Sequence, residues 1–228
     1  MFEIEKNPEK VSIVATGDGY EHLPLQTNSI IYALNDLVYT EKYGIKPDIL
    51  FIMDVLDEKP QVIAGITNLG DIIRRINELH VPLIAPYKYE EIPLSQAFPL
   101  EEYEKRFGAP YFSNTISYMI AYAMLQNAKE IDLYGVNQAS SSEFFYEKAG
   151  VEYSLGLAVG QGIKVTIHGA KSELLSNKKR FGGNILYGYN QLYEEYLQSK
   201  EKFGEGVIKR LLAPTKPKSR IIRKINNA

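Results

Sequence analysis

Cysteine is absent from this 228-residue chain, which excludes disulfides, thiolate metal centres and a cysteine nucleophile. Histidine occurs only three times, so a zinc enzyme built on imidazole ligands has little to draw on. An excess of charge is missing as well. The 26 basic and 28 acidic side chains leave a formal charge of −2, so no global field attracts nucleic acid and any such binding must be local. No apolar run approaches the roughly 18 residues of a membrane span. Met1 to Pro8 is charged and lacks the apolar core of a signal peptide. No repeat at solenoid periods is found. What is present is 45% hydrophobic side chains, enough for a substantial core, and the expectation is a soluble intracellular protein.

Short apolar runs recur along the chain. Lys10–Thr16, Ser29–Leu34, Asp48–Met53, Val81–Ala85, Glu130–Tyr134 and Lys164–Ile167 read as strands, and the near-continuous apolar character of the first three suggests a sheet covered on both faces. Helical periods separate them at Asn35–Tyr43, Leu69–Leu79, Ser113–Gln126 and Glu143–Val159. Ile72, Ile73, Ile76 and Leu79 share one face of the second, and Ser113 or Asn114 caps the third. This alternation predicts a three-layer α/β fold around a mostly parallel sheet of about six strands. Residues 1–205 are expected to form one domain. Within it the Pro- and Tyr-rich segment 87–112 reads as an irregular insertion or lid, Lys171–Leu175 as a short helix and Leu186–Phe203 as a solvated helix. Residues 206–228 read as a tail, with seven basic and no acidic residues from Lys209 to Lys224.

Ligands of open parallel sheets bind beyond the carboxyl ends of the strands, where loops diverge and helix N-termini offer free N–H groups. At those positions stand Thr16, Gly17, Asp18 and Gly19, Asn35 and Asp36, Asp54 and Asp57, Gly135, Asn137 and Gln138, and His168. The same residue types also serve turns and caps whether or not anything binds. Ser113, Asn114, Thr115 and Ser117 open the strongest helix, where they would either surround an anion or only cap the helix. Asp54 and Asp57 could hold Mg²⁺ beside a phosphate or cap the following segment, and no metal ligand set is assigned. Gly17-Asp18-Gly19 has neither the spacing of a dinucleotide fingerprint nor a phosphate-loop lysine. His168 directly follows a core strand, where it would serve as a general base or as a structural side chain.

Four segments between Phe98 and Leu175 carry a resemblance: F-P-L-E-E-Y-E-K-R-F-G, Y-F-S-N-T-I-S-Y-M-I-A-Y-A, A-K-E-I-D-L-Y-G-V-N and V-E-Y-S-L-G-L-A-V-G-Q-G-I-K-V. The chain resembles a protein family encoded by tailed bacteriophages. More remotely it is similar to the Rossmann-like 6-hydroxymethylpterin diphosphokinase-like and bacterial sialyltransferase-like proteins, with weaker matches at V-S-I-V-A-T-G and P-D-I-L-F-I-M-D. The resemblance implies a Rossmann-like nucleotide-binding fold, a nucleotide or nucleotide-sugar partner and group transfer. It places the first loop on Thr16 and Gly17, and the polar residues after the second and third strands on Asn35 and Asp54. The helix-start serine falls on Ser113 or Ser117, the later loop on Gly135 to Asn137 and the general base in the region of His168. Two departures stand out: Asp18-Gly19 replaces a Pro-Ser, and Asn137 stands where the resemblance has an aspartate. The alternative reading is a noncatalytic virion or assembly protein that docks phage structural partners through its basic tail. Host cytoplasm and virion are the corresponding locations, no cofactor is identified, and neither a membrane nor nucleic acid is expected as a partner.

Overall fold

The computed structural model describes residues 7–54, 56, 69–138, 145–169 and 171–174. All of them fall in the compact unit Met1–Gly183, and the segments 186–203 and 206–228 lie outside the described residues. Among the described residues seven strands, β1 (Lys10–Val14), β2 (Ile30–Leu34), β3 (Ile49–Phe51), β4 (Leu83–Ala85), β5 (Ser95–Ala97), β6 (Glu130–Tyr134) and β7 (Lys164–Ile167), form one sheet. Every neighbouring pair is parallel and the order is β5-β4-β3-β2-β1-β6-β7. The helices among the described residues are α1 (Thr40–Tyr43), α2 (Leu69–Leu79), α3 (Leu100–Phe107), α4 (Thr115–Leu125) and α5 (Phe145–Gly160). This is a Rossmann-like α/β architecture. The chain builds outward from β1 to β5, then returns to place β6 on the other flank of β1, so the topological switch point lies between β1 and β6. Among the described residues no helix is long and apolar enough to cross a membrane.

Alternation along each strand divides the core in two. Val11, Ile13, Tyr32, Phe51, Ile131 and Leu133 point to one face and pack with α4 and α5 through Met119, Ile120, Ala123, Val151 and Leu155. Val14, Ala33, Leu50, Ile52 and Leu83 point to the other and pack with Leu37, Ile72 and Ile76. That second face is apolar only over part of the sheet. β1, β6 and β7 read K-V-S-I-V, E-I-D-L-Y and K-V-T-I, and their register aligns Lys10, Glu130 and Lys164 in one row and Ser12, Asp132 and Thr166 in the next. Asp132 is buried there. It accepts hydrogen bonds from Lys10 Nζ at 3.2 Å and Tyr134 Oη at 3.4 Å. The Asp132 bond is the largest influence holding the Lys10 ammonium above its usual range, followed by the bond to Glu130.

Three sequence expectations change. The segment 87–112 is not irregular throughout, because it contains β5 and α3. The sequence S-Q-A has no strong strand preference, and β5 exists because the exposed edge of β4 pairs with it from Leu83↔Ser95 to Ala85↔Ala97. α3 carries Glu101 and Glu102 in its first turn, Lys105 and Arg106 in its last and Gly108 as its C-cap, an arrangement that suits the helix dipole. The stretch Asn35–Tyr43 splits into a 3-10 turn, Asn35–Val38, and the short α1. Lys171 to Leu174 forms no helix, since the Glu173 N–H donates to Asn137 O at 2.6 Å instead of to a helical ladder; Leu175 lies outside the described residues.

Phe98 anchors the β5–α3 excursion. Its ring lies 5.0 Å from Tyr118, 5.6 Å from Phe112, 6.4 Å from Tyr122 and 6.5 Å from Tyr103, centroid to centroid. Phe98→Ala is expected to lower stability by about 3–5 kcal/mol, the usual cost of emptying a buried aromatic site, as read by chemical denaturation. A loss under about 1 kcal/mol would show that the cluster closes over the gap.

Candidate functional site

The loops after β1 and β6 meet backbone to backbone. Ala15 N–H donates to Tyr134 O at 2.9 Å and Gly17 N–H to Gly135 O at 3.0 Å, which prolongs the β1–β6 ladder past both strands. A Cβ on Gly17 would stand 2.4 Å from the Gly135 carbonyl oxygen. One on Gly135, where φ is +66°, would stand 2.4 Å from the Ala15 carbonyl oxygen. Neither position has room for a side chain. Asn137 fastens the same junction from its other side. With its amide oriented to suit its neighbours, Nδ2 donates to Asp18 O at 3.0 Å and Oδ1 accepts from Asp18 N–H at 2.9 Å. This clasp needs a donor and an acceptor on one planar group, which an ionised aspartate cannot supply. The departure to asparagine therefore has a structural use.

On the neighbouring strands, Asn35 enters its 3-10 turn with φ +39°, a left-handed conformation that asparagine adopts more readily than most residues. Its Nδ2 donates to Asp54 Oδ2 at 3.5 Å. Its Oδ1 is buried and has no hydrogen-bond partner among the described residues.

The third wall is the start of α4. Asn114 is the N-cap: its Oδ1 accepts from Ser117 N–H at 3.0 Å and Ser117 Oγ at 3.1 Å, and its Nδ2 donates to Gln138 Oε1 at 3.4 Å. Ser113 Oγ donates to Glu147 O at 3.1 Å, tying the start of α4 to the first turn of α5. Thr115 and Ile116 supply the first backbone N–H groups of α4, which no preceding helical turn accepts.

These pieces surround an open cleft of about 350 Å³ at the carboxyl ends of β1, β2, β3 and β6. Of the sequence candidates, Thr16 and Gly17, Asn35 and Asp54, Ser113 and Asn114, and Gly135 and Asn137 line it. Ser117 does not: it is buried and its hydroxyl is used by the cap. His168 does not either. In parallel register it follows Ile167 opposite Tyr134, on the other face of the sheet. Its ring stacks on Tyr134 at 4.2 Å, and its Nε2 lies 3.3 Å from Asp132 Oδ2. Asp57 lies outside the described residues.

Thr115 and Gln138, placed by the sequence at the helix start and after the fifth strand, line it too, whereas Glu147 went unnamed at the sequence level. Gln138 directly follows Asn137, and its left-handed backbone, φ +49°, directs a buried side chain to the cap. Glu147 gave no separate signal, because a glutamate in a first helical turn reads as dipole complementation. Burial pushes its carboxyl above the usual carboxylate range. Among the described lining residues there is no Lys, Arg or His, and Asp54 and Glu147 are the ionisable groups. Positive potential at the cleft comes from the N-terminal end of α4, joined at the Glu147 wall by that of α5. Among the described residues no group of three His, Asp or Glu side chains is placed to hold a metal ion.

No protein-family model matches the chain, and no curated protein sequence matches it. Among solved structures it is similar to the sialyltransferase CstII from Campylobacter jejuni in complex with the substrate analogue cytidine-5′-monophosphate. The identity is 17% and the TM-score 0.48, covering 78% of this chain and 88% of that one. A second structure, the same enzyme with the substrate analogue CMP-3FNeuAc, has 14% identity and a TM-score of 0.48 over 78% of this chain and 88% of that one.

The glycine junction can be tested against a control. Gly44 has nearly the same φ as Gly135, +67°, but nothing lies within 4 Å of the place a methyl group would take. Gly44→Ala is expected to cost about 1–2 kcal/mol, the left-handed penalty alone. Gly135→Ala adds a backbone collision and is expected to cost roughly 1–3 kcal/mol more. Equal losses in thermal unfolding would show that the two loops can separate freely.

Proposed function

We propose that the protein binds a nucleotide in the cleft between β1 and β6 and transfers a group from a nucleotide-activated donor. The observation that carries this reading is the buried, unpartnered Asn35 Oδ1 in a cleft at the topological switch point, where open parallel sheets hold ligands. Asn35 Oδ1 and the exposed Asp54 carboxylate are adjacent acceptors, a pairing that suits the vicinal hydroxyls of a ribose. A phosphate would lie against the first N–H groups of α4, at Thr115 and Ile116, beside the Thr16–Gly17 loop. Ser113 and Asn114 then act by fixing that helix end, and Gly135 and Asn137 by fixing the loop opposite. The site supplies helix-end donors and amides in place of Lys and Arg, so the phosphate is held by oriented dipoles rather than by a full counter-charge.

Calorimetric titration of the intact chain with CMP, UMP, AMP, GMP and their sugar conjugates, with and without Mg²⁺, is expected to give saturable binding to at least one. Asn35→Gly keeps the left-handed backbone accessible and removes the acceptor. It is expected to weaken that binding about 10-fold, near the worth of one hydrogen bond. Heat signals absent across the whole panel would sink the reading.

A further inference from the structure

We infer that Glu147 is the general base of the transfer, the group that takes the proton from the acceptor hydroxyl; this rests on the nucleotide-binding reading above. Transfer to a hydroxyl is accelerated by a base within hydrogen-bond reach of that hydroxyl. His168, the histidine that follows a core strand, stands on the other face of the sheet with its ring against Tyr134 and its Nε2 beside Asp132. The described lining residues leave two ionisable groups, Asp54 and Glu147. They differ in position and surroundings. Asp54 is exposed and hydrogen-bonded to Asn35, where it is placed for a ribose hydroxyl. Glu147 lines the wall made by α5, beside the helix end assigned to the phosphate, and is partly buried.

Its backbone is held by Ser113. Ser113 Oγ donates to Glu147 O at 3.1 Å. One turn further along α5, Gly150 has no side chain where Ser113 packs, since a Cβ there would lie 1.9 Å from Ser113 Oγ. Among the described residues the partners that α4 and the β6 loop present on this side, Ser113, Asn114 and Gln138, are neutral; Lys148 is the next residue along α5, and Asp54 lies on the β3 side. Burial raises the Glu147 pKa. A carboxylate shifted upward is a stronger base than an exposed one.

The step balances as follows. The acceptor O–H proton passes to a Glu147 carboxylate oxygen while the acceptor oxygen bonds to the transferred carbon. The bond from that carbon to the donor phosphate oxygen breaks, and its electron pair leaves on the phosphate at the N-terminus of α4. Nucleoside phosphate departs, and Glu147 returns its proton to solvent.

The test uses the intact chain, with CMP-, UDP- and GDP-sugars as donors, water or lactose as acceptor, and release of the nucleotide as the readout. Glu147→Gln is expected to bind the nucleotide within about 2-fold of wild type while kcat falls roughly 10²–10⁴-fold. Glu147→Asp is expected to recover part of the loss. In the wild type kcat/KM should fall as pH drops through the raised Glu147 pKa, because the base must be ionised, and the glutamine variant should lack that limb. Unchanged kcat in Glu147→Gln would overturn the assignment and leave the nucleotide reading standing. Binding without turnover in the wild type would overturn it too. Failure of the wild type to bind any nucleotide would defeat both.

Discussion

The close approach of two peptide backbones at Gly17 and Gly135 is the constraint on which the cleft depends. A parallel pair such as β1 and β6 ordinarily separates where its strands end, and here the ladder continues to Gly17 and Gly135 because neither loop carries a side chain at the point of contact. Asn137 then holds the β1 loop by both backbone groups of Asp18. Thr16 and the β6 loop thereby become one rigid rim rather than two independent turns. The opposing wall is made rigid by different means, with Asn114 capping α4 and Ser113 joining α4 to α5. A cleft with fixed walls loses little freedom when it is filled.

The two faces of the sheet have separate roles. On the face of α4 and α5, apolar packing runs up to the strand ends and gives way to the amide-rich cleft. On the other, β1, β6 and the end of β7 carry a compact arrangement of Lys10, Asp132, Tyr134 and His168. One residue of offset decides which set a side chain joins. Leu133 belongs to the first and Tyr134 to the second, and His168 follows Tyr134 across the register.

That offset explains what could be read in the sequence and what could not. The strand-helix rhythm gave six of the seven strands and the carboxyl-end positions, because buried parallel strands are short, apolar and closed by polar turn residues. Strand β5 was hidden, since its pairing is induced by β4 rather than encoded in S-Q-A. α3 was legible in its charge order and was masked by the prolines around it. Within the site, loop residues such as Thr16 and Asn35 follow from position alone. The facing of His168, the occupied hydroxyls of Ser113 and Ser117, and the exposure of Glu147 to the cleft depend on packing between segments far apart in the chain. Alternation in K-V-S-I-V and E-I-D-L-Y carried a signal of sidedness that the apolar count obscured.

Among the described residues both margins of the sheet are brief, three residues in β5 and four in β7. Few backbone groups are therefore left as a template on which a foreign strand could assemble, and Lys164 places a charge on the longer margin. A fully parallel sheet forms slowly and exposes its borders while it does so. Short terminal strands shield those borders from self-association during that interval.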